Sequence, residues 1–471
     1  MKKILTLSAA IIASNLSQAA DLSTIYQYAV SNDAEIAVAR ANREANSYNV
    51  GTARGGLLPQ ASLNYSVTQI DVESDVSGVG SVPERNYDQN QLQLQASQAL
   101  FNLNSWYTYQ SAVAGDDVAE YQLQLSEQQL LLRSAQTYFN VLRSQDNLSA
   151  AQAEEKAVKR SLEQTQQRFD VGLIAITEVH EAQAGYDLSY VNLLGQEANV
   201  DISYEALERL TGNYFDTVTP LRADVAMEMP QPAVADEWLA SGMAKYAGLR
   251  LAEANKEAVR LQRNATRSNH LPSVNLIASY TDGDQPSFTG DDTYNQETTA
   301  IGVQLSVPLL AGGSLYSQSK QSAKQFAASE YQLENERRTV KQNIRSLFRL
   351  VKTDVLNVKA RKQAIVSAES ALEATETGYE VGTRNIVEVL DAQRNLFRAQ
   401  SDYANARYDY IENLLNLKFY AGTLNPKDIE MLNGWLAQPA PAPQATPSAT
   451  QDPSATQSPA AAPASQPTTQ S

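Results

Sequence analysis

Two thirteen-residue segments, Val171–Gln183 and Val381–Gln393, hold the residues of this chain whose types and spacing could do chemistry. Seven positions are identical between them, Val171/Val381, Gly172/Gly382, Ile176/Ile386, Glu178/Glu388, Val179/Val389, Ala182/Ala392 and Gln183/Gln393, while Glu181 and Asp391 match in charge. Glu388 and Asp391 lie three apart, so on a helix they share a face. Repeated about a symmetry axis, such a face would stack rings of carboxylates that favour cations and disfavour anions. Crowding of like charges would raise some of their pKa values. On periodicity alone, a solvated acidic face is the commoner outcome. Thr177 and Glu178 in the first segment, and Tyr379 and Arg384 around the second, carry hydrogen-bonding side chains, arginine being able to hold a carboxylate through two parallel bonds and tyrosine to donate one. Taken singly, they are ordinary exposed helix-end residues.

Other chemistries lack their residues. There is no phosphate-binding Gly-Lys loop, no His-Glu-x-x-His and no nucleophile elbow. The two histidines, His180 and His270, stand far apart without metal-ligand spacing. With no cysteine, thiol chemistry, disulfides and a lipidated N-terminal cysteine are all excluded. An enzyme, a metal and a cofactor are therefore not expected. Lys2-Lys3, the apolar run Ile4–Ala13 and Ser17-Gln-Ala19 predict a removed secretory leader over 1–19. Without Lys2 and Lys3, 35 basic residues face 53 acidic ones, a net charge of −18, which argues against nucleic acid as a partner.

The elements that must position these residues recur. Each Val-Gly pair ends one helix, because glycine permits the backbone turn, and a second helix begins just beyond it. No proline interrupts the chain between Pro83 and Pro220 or between Pro308 and Pro426. Apolar stripes at Leu131, Ala135, Tyr138 and Leu142, and at Val340, Ile344, Leu347, Val351 and Val355, predict long packed helices over about 104–211 and 314–421. Unbroken from Trp106 to Arg168, such a helix would run roughly 95 Å. Leu58-Pro59 returns as Leu271-Pro272, Leu132-Arg-Ser134 as Ile344-Arg-Ser346, and Leu210-Thr-Gly212 as Tyr420-Ala-Gly422, so the spacing predicts two similar halves, 20–230 and 231–436.

Each half opens with a helix that its Leu-Pro dipeptide ends, followed by a pair of alternating strands, about 61–100 and about 273–308. Leu63, Tyr65 and Val67 alternate with Asn64, Ser66 and Thr68, and Ile301, Val303, Leu305 and Val307 with Gly302, Gln304 and Ser306. Long acidic loops carrying Asp71, Glu73, Asp75, Glu84 and Asp88, and Asp282, Asp284, Asp291, Asp292 and Glu297, are expected to join the strands in water. The Ala/Pro/Ser/Thr/Gln-rich stretch 437–471 is expected to be a disordered tail.

Four strands cannot close a membrane barrel, and an open edge in lipid leaves backbone groups unpaired. A shared barrel is implied. Three protomers would give twelve strands, polar inside and apolar toward lipid, with the long helices continuing the wall; other multiples of four would also close. Phe101, Trp106, Tyr107 and Tyr109 fall at the strand-to-helix change, where an aromatic belt or ordinary core aromatics are both consistent.

Leu57-Leu-Pro-Gln-Ala-Ser-Leu63, Val307-Pro-Leu-Leu-Ala-Gly-Gly313, Arg168-Phe-Asp-Val-Gly172 and Gly378-Tyr-Glu-Val-Gly-Thr-Arg384, with the repeated segments after them, resemble the TolC family of outer-membrane efflux and type I secretion channel proteins. The likeness covers nearly all of the chain from the end of the leader to about Leu436. It implies a mixed α and β fold: a homotrimeric 12-stranded transmembrane β-barrel, four strands per protomer, continued by a long α-helical periplasmic tunnel. Such a protein would sit in the outer membrane of a Gram-negative bacterium, among outer-membrane lipid. It would serve as an exit duct engaged by a periplasmic adaptor (membrane fusion protein) and an inner-membrane ABC or RND-type transporter. Glu388 and Asp391 would line its periplasmic constriction. The resemblance further implies gate tethers from Glu178 to Tyr379 within a protomer, and from Glu178, with Thr177 beside it, to Arg384 of the next. Glu178 and Glu388 stand where the family more often has aspartate, and Ser161 where a glutamine reaching Glu376 is expected. A structural or adhesive trimeric coiled coil with a small anchoring barrel is the competing class; it predicts sustained heptads and a terminal anchor.

Overall fold

A computed structural model describes residues 19–76, 80–286 and 293–437. The expected leader, apart from Ala19, and the tail beyond Ala437 lie outside the described residues. In chain order the elements are α1 (Leu22–Asn32), α2 (Ala34–Gly55), β1 (Gln60–Val76), β2 (Gly80–Phe101), α3 (Leu103–Asp170), α4 (Ile176–Thr211), α5 (Ala235–Lys245), α6 (Ala247–Ser268), β3 (Ser273–Pro286), β4 (Thr293–Ser306), α7 (Ser314–Glu380), α8 (Ile386–Tyr420) and α9 (Pro426–Asn433). Both strand pairs sit between helices and neither lies at an end of the chain, against the expectation for an adhesive coiled coil.

The proline-free stretches become α3 and α7, of 68 and 67 residues, each about 100 Å long at 1.5 Å per residue. α3 starts almost directly from β2, whereas residues 307–313 separate β4 from α7. Asn102 follows the last residue of β2 and caps α3 by accepting a hydrogen bond from the Ser105 amide at 3.1 Å, so extended chain turns helical within one residue.

The four strands form one antiparallel sheet in the order β1-β2-β3-β4. Its register brings the predicted alternations onto common faces. Ala61, Ala96, Ala278 and Ile301 make one cross-strand row, and Leu63, Leu94, Tyr280 and Thr299 the next. Asn64, Gln93, Thr281 and Thr298 lie in a row on the other face. The apolar face is open: Leu63 is 65 % exposed and Ile301 76 %. Among the described residues, β1 and β4 are free edges.

The expected acidic loops are corrected by this register. Asp71 pairs with Asn86 inside the β1–β2 ladder, and Asp282 and Asp284 pair with Glu297 and Asn295 inside β3–β4. A hairpin ladder satisfies its own backbone groups whatever the side chains are, so the strands outrun their apolar patterning. Residues 77–79 and 287–292, including Asp291 and Asp292, lie outside the described residues.

The main core sits midway along the long helices, where the short helices gather. Tyr138 and Leu142 of α3, Leu207 of α4, Ile344 and Val351 of α7, and Ile411 and Leu415 of α8 close on Leu22 and Ile25 of α1 and Ile429 and Leu432 of α9. Each such side chain contributes roughly 1.5–3 kcal/mol by leaving water. Both ends of the described chain are tied here to the linker between the halves. Ala20 bridges Val218 and Leu436 bridges Leu221, and the buried Tyr138 hydroxyl donates to the Thr219 carbonyl at 2.7 Å. No helix among the described residues is long and apolar enough to cross a membrane.

Candidate functional site

Far from that core, α3 turns into α4 and α7 into α8 by the same device. Gly172 and Gly382 adopt φ of 78° and 79°, the left-handed conformation that glycine alone enters without cost. Each is followed by a six-to-one backbone bond, from Leu173 N to Arg168 O at 2.9 Å and from Thr383 N to Gly378 O at 2.8 Å, and preceded by the shorter bonds Gly172 N to Phe169 O and Gly382 N to Tyr379 O. These are Schellman ends, which satisfy helix carbonyls that would otherwise be orphaned. The two copies differ at the next step. Asn385 caps α8 by accepting from the Glu388 amide at 2.9 Å, whereas Ala175 leaves α4 without a side-chain cap.

Behind the turns the two hairpins pack through a small apolar cluster. It joins Val158 of α3, Ala182 of α4 and Ile386, Val389 and Leu390 of α8, with Leu162, Tyr186 and Tyr379 against it. Gly185 makes the approach possible, since a Cβ there would lie 3.1 Å from a Leu390 methyl carbon.

On this platform Glu388 is half-buried and Asp391 exposed. Arg384 forms an ion pair with Glu388 one turn on, and Arg394 holds Asp391 at 3.0 Å. The hydrogen bond from Arg384 keeps the Glu388 carboxyl below the usual glutamate range. Within the protomer this is opposite to the rise expected from carboxylate crowding. Arg384 also lies across the end of α7, where a Cβ on residue 378 would come within 2.7 Å of its Cγ, so a side chain there would displace the arginine.

The tether residues are brought to the same end of the hairpins but not joined as the resemblance implies. The Tyr379 hydroxyl is buried and has no hydrogen-bond partner among the described residues, so the bond to Glu178 is not made. Its ring instead lies under Arg168, whose guanidinium carbon is 4.7 Å from the ring centre. Glu178 is half-buried and Thr177 exposed on the first turn of α4.

Ser161 and Glu376 are linked after all, through Gln393, one of the positions identical in the two repeated segments. Gln393 is 5 % exposed, and its amide nitrogen donates to Ser161 Oγ at 3.1 Å and to Glu376 Oε1 at 3.4 Å. Gln393 stands in the repeated segment, yet its role depends on which side of α8 meets α3 and α7, and a single-helix pattern carries no such signal.

The family model described as outer membrane efflux protein matches residues 25–213 and 244–423. The outer membrane protein TolC of Escherichia coli (strain K12) is 37% identical over 439 residues, covering 90% of this chain and 87% of that protein. The proteases secretion protein PrtF of Dickeya chrysanthemi is 27% identical over 436 residues, 90% of this chain and 92% of that protein. The solved Campylobacter jejuni CmeC outer membrane channel has the same fold, with a TM-score of 0.72 at 17% identity over 88% of this chain and 90% of that one. A sheet apolar on one face, helices of about 100 Å and a family match through both halves agree: the chain belongs to the outer membrane efflux protein family and is an outer-membrane protein.

Proposed function

We propose that this chain is one of three identical protomers of an outer-membrane exit duct, serving efflux and type I protein secretion, with its constriction at the α3/α4 and α7/α8 turns. The observation that carries the reading is a single sheet with one apolar face and two unpaired edges, continuous with long helices that end in carboxylate-bearing turns. Three such sheets closed edge to edge give twelve strands and leave no backbone group unpaired in hydrocarbon. The polar face then lines the lumen. β1 and β2, of 17 and 22 residues, exceed the roughly 9–11 residues that cross a bilayer, so their acidic ends reach water. The helices continue the wall into the periplasm, and the order helix, strand pair, long helix, helix in both halves is consistent with an internal repeat.

At the narrow end, Glu388 and Asp391 of three protomers form the selecting constriction. Thr177, Glu178, Tyr379 and Arg384 hold it shut, Arg384 and Glu178 across the protomer boundary. The buried, unpartnered Tyr379 hydroxyl supports this role, because such a donor gains most from meeting a carboxylate. Arg384 uses one nitrogen on Glu388 and keeps further donors for a second partner. A periplasmic adaptor and an inner-membrane ABC or RND-type transporter would supply the opening force and the substrate. Replacing Tyr379 by Phe and Arg384 by Ser together is expected to raise single-channel conductance in planar bilayers several-fold. A conductance equal to the parent's would refute the gate.

A further inference from the structure

We infer that Gln393 is the latch that positions one hairpin against the other, a role resting on the gated-duct reading above. The repeated segments end on the same residue, but the two copies have opposite surroundings. Gln183 is exposed and donates along its own helix to Asp187 at 2.8 Å. Gln393 is buried beside the apolar cluster of Val158, Ala182, Ile386, Val389 and Leu390, and its amide reaches two other helices.

The geometry sets the direction of the amide. Glu376 is an acceptor as a carboxylate, so the Gln393 nitrogen, with its two hydrogens, must face it. The other hydrogen then meets Ser161 Oγ at 3.1 Å, while the serine hydroxyl donates to the Ala157 carbonyl at 3.2 Å or to Gln393 Oε1 at 3.3 Å. The two bonds are not equivalent. Glu376 and Gln393 lie on α7 and α8, which form one hairpin. Ser161 lies on α3, so its bond to Gln393 spans the two hairpins and must break when they separate. Apolar neighbours leave little water to replace it, which makes the broken state costly. Thr165, 1 % exposed, donates to the Ser161 carbonyl at 2.7 Å and keeps this face of α3 small, so that a serine on α3 and a glutamine on α8 fill the gap between them.

The test uses the full-length protein in planar bilayers, with Y379F/R384S as the reference for an opened channel. Q393A is expected to raise resting conductance at least two-fold, short of the reference. Q393L, which keeps the bulk and removes the amide, should do the same, and the detergent-extracted oligomer should keep its mass. The exchange S161Q/Q393S restores a serine–amide bond across the same gap and should return conductance to the parent value. If Q393A and Q393L stay at the parent conductance while the reference opens, Gln393 is no latch and the gate stands. An exchange variant as conductive as Q393A would reduce Gln393 to packing and overturn the proposal. If the reference itself stays closed, the gate reading fails and the latch with it.

Discussion

Glu388 and Arg384 lie four residues apart and form an ion pair, and that pairing would decide how the proposed constriction responds to acid. Because the arginine's hydrogen bond lowers the carboxyl's pKa, Glu388 stays charged at pH values where an ordinary glutamate is partly neutral. Cation preference should therefore persist as pH falls through the usual glutamate range and be lost only below it. In an R384S variant the loss should come at higher pH. Reversal potentials in a salt gradient between pH 7 and pH 4 measure this, and identical profiles for the two proteins would count against control by Arg384. Asp354 shows the opposite sign. Burial raises its carboxyl, Asn413 opposes the shift by donating a hydrogen bond, and nearby Asp409 adds to it. A folded-state pKa above the unfolded one means that the charged form costs stability at neutral pH, a cost that fades as pH drops through the raised value. D354N should raise the thermal midpoint at pH 7, with the gain vanishing in acid.

The helices were legible in the sequence because their signals are local. Val-Gly ends, the lack of proline and apolar stripes placed α3, α4, α7 and α8 within a few residues of their bounds. The strands were legible only where alternation lasted. Past Asp71 and Asp282 the ladder runs on through mixed pairs such as Val72–Arg85 and Asp284–Asn295, and backbone pairing leaves no mark on residue type there. The site was half legible. Acid spacing and the turn were readable, whereas the buried state of Gln393 and the Arg168–Tyr379 stack arise from one hairpin meeting another, and the close approach at Gly378 from the path Arg384 takes across the turn of its own hairpin. The turns themselves make a sharp prediction. Gly172→Ala and Gly382→Ala force an L side chain into the left-handed region at about 1–2 kcal/mol each, although no atom lies within 4 Å of either added Cβ. Both should lower the thermal midpoint by strain alone. A loss at only one turn would mean that the two ends are not equivalent in the assembled state.

For the molecule as a whole, the decisive measurement is the mass of the detergent-extracted species, expected to be three chains. A monomer that stays soluble without detergent would end the duct proposal. The sheet's two free edges reach further than stoichiometry. A lone protomer that entered a bilayer would carry rows of unpaired amides and carbonyls on β1 and β4 into hydrocarbon, each group costing several kcal/mol. For a duct of shared sheets, insertion and association would thus be one event: copies would have to meet in water or at the membrane surface before any of them is stable in lipid. Inheritance follows from this. A chain that folds its helices but lacks β4 would enter assemblies and leave a gap no neighbour can bridge. In a cell making both forms in equal amount, a single such subunit would spoil each mixed trimer, and the defect would be dominant.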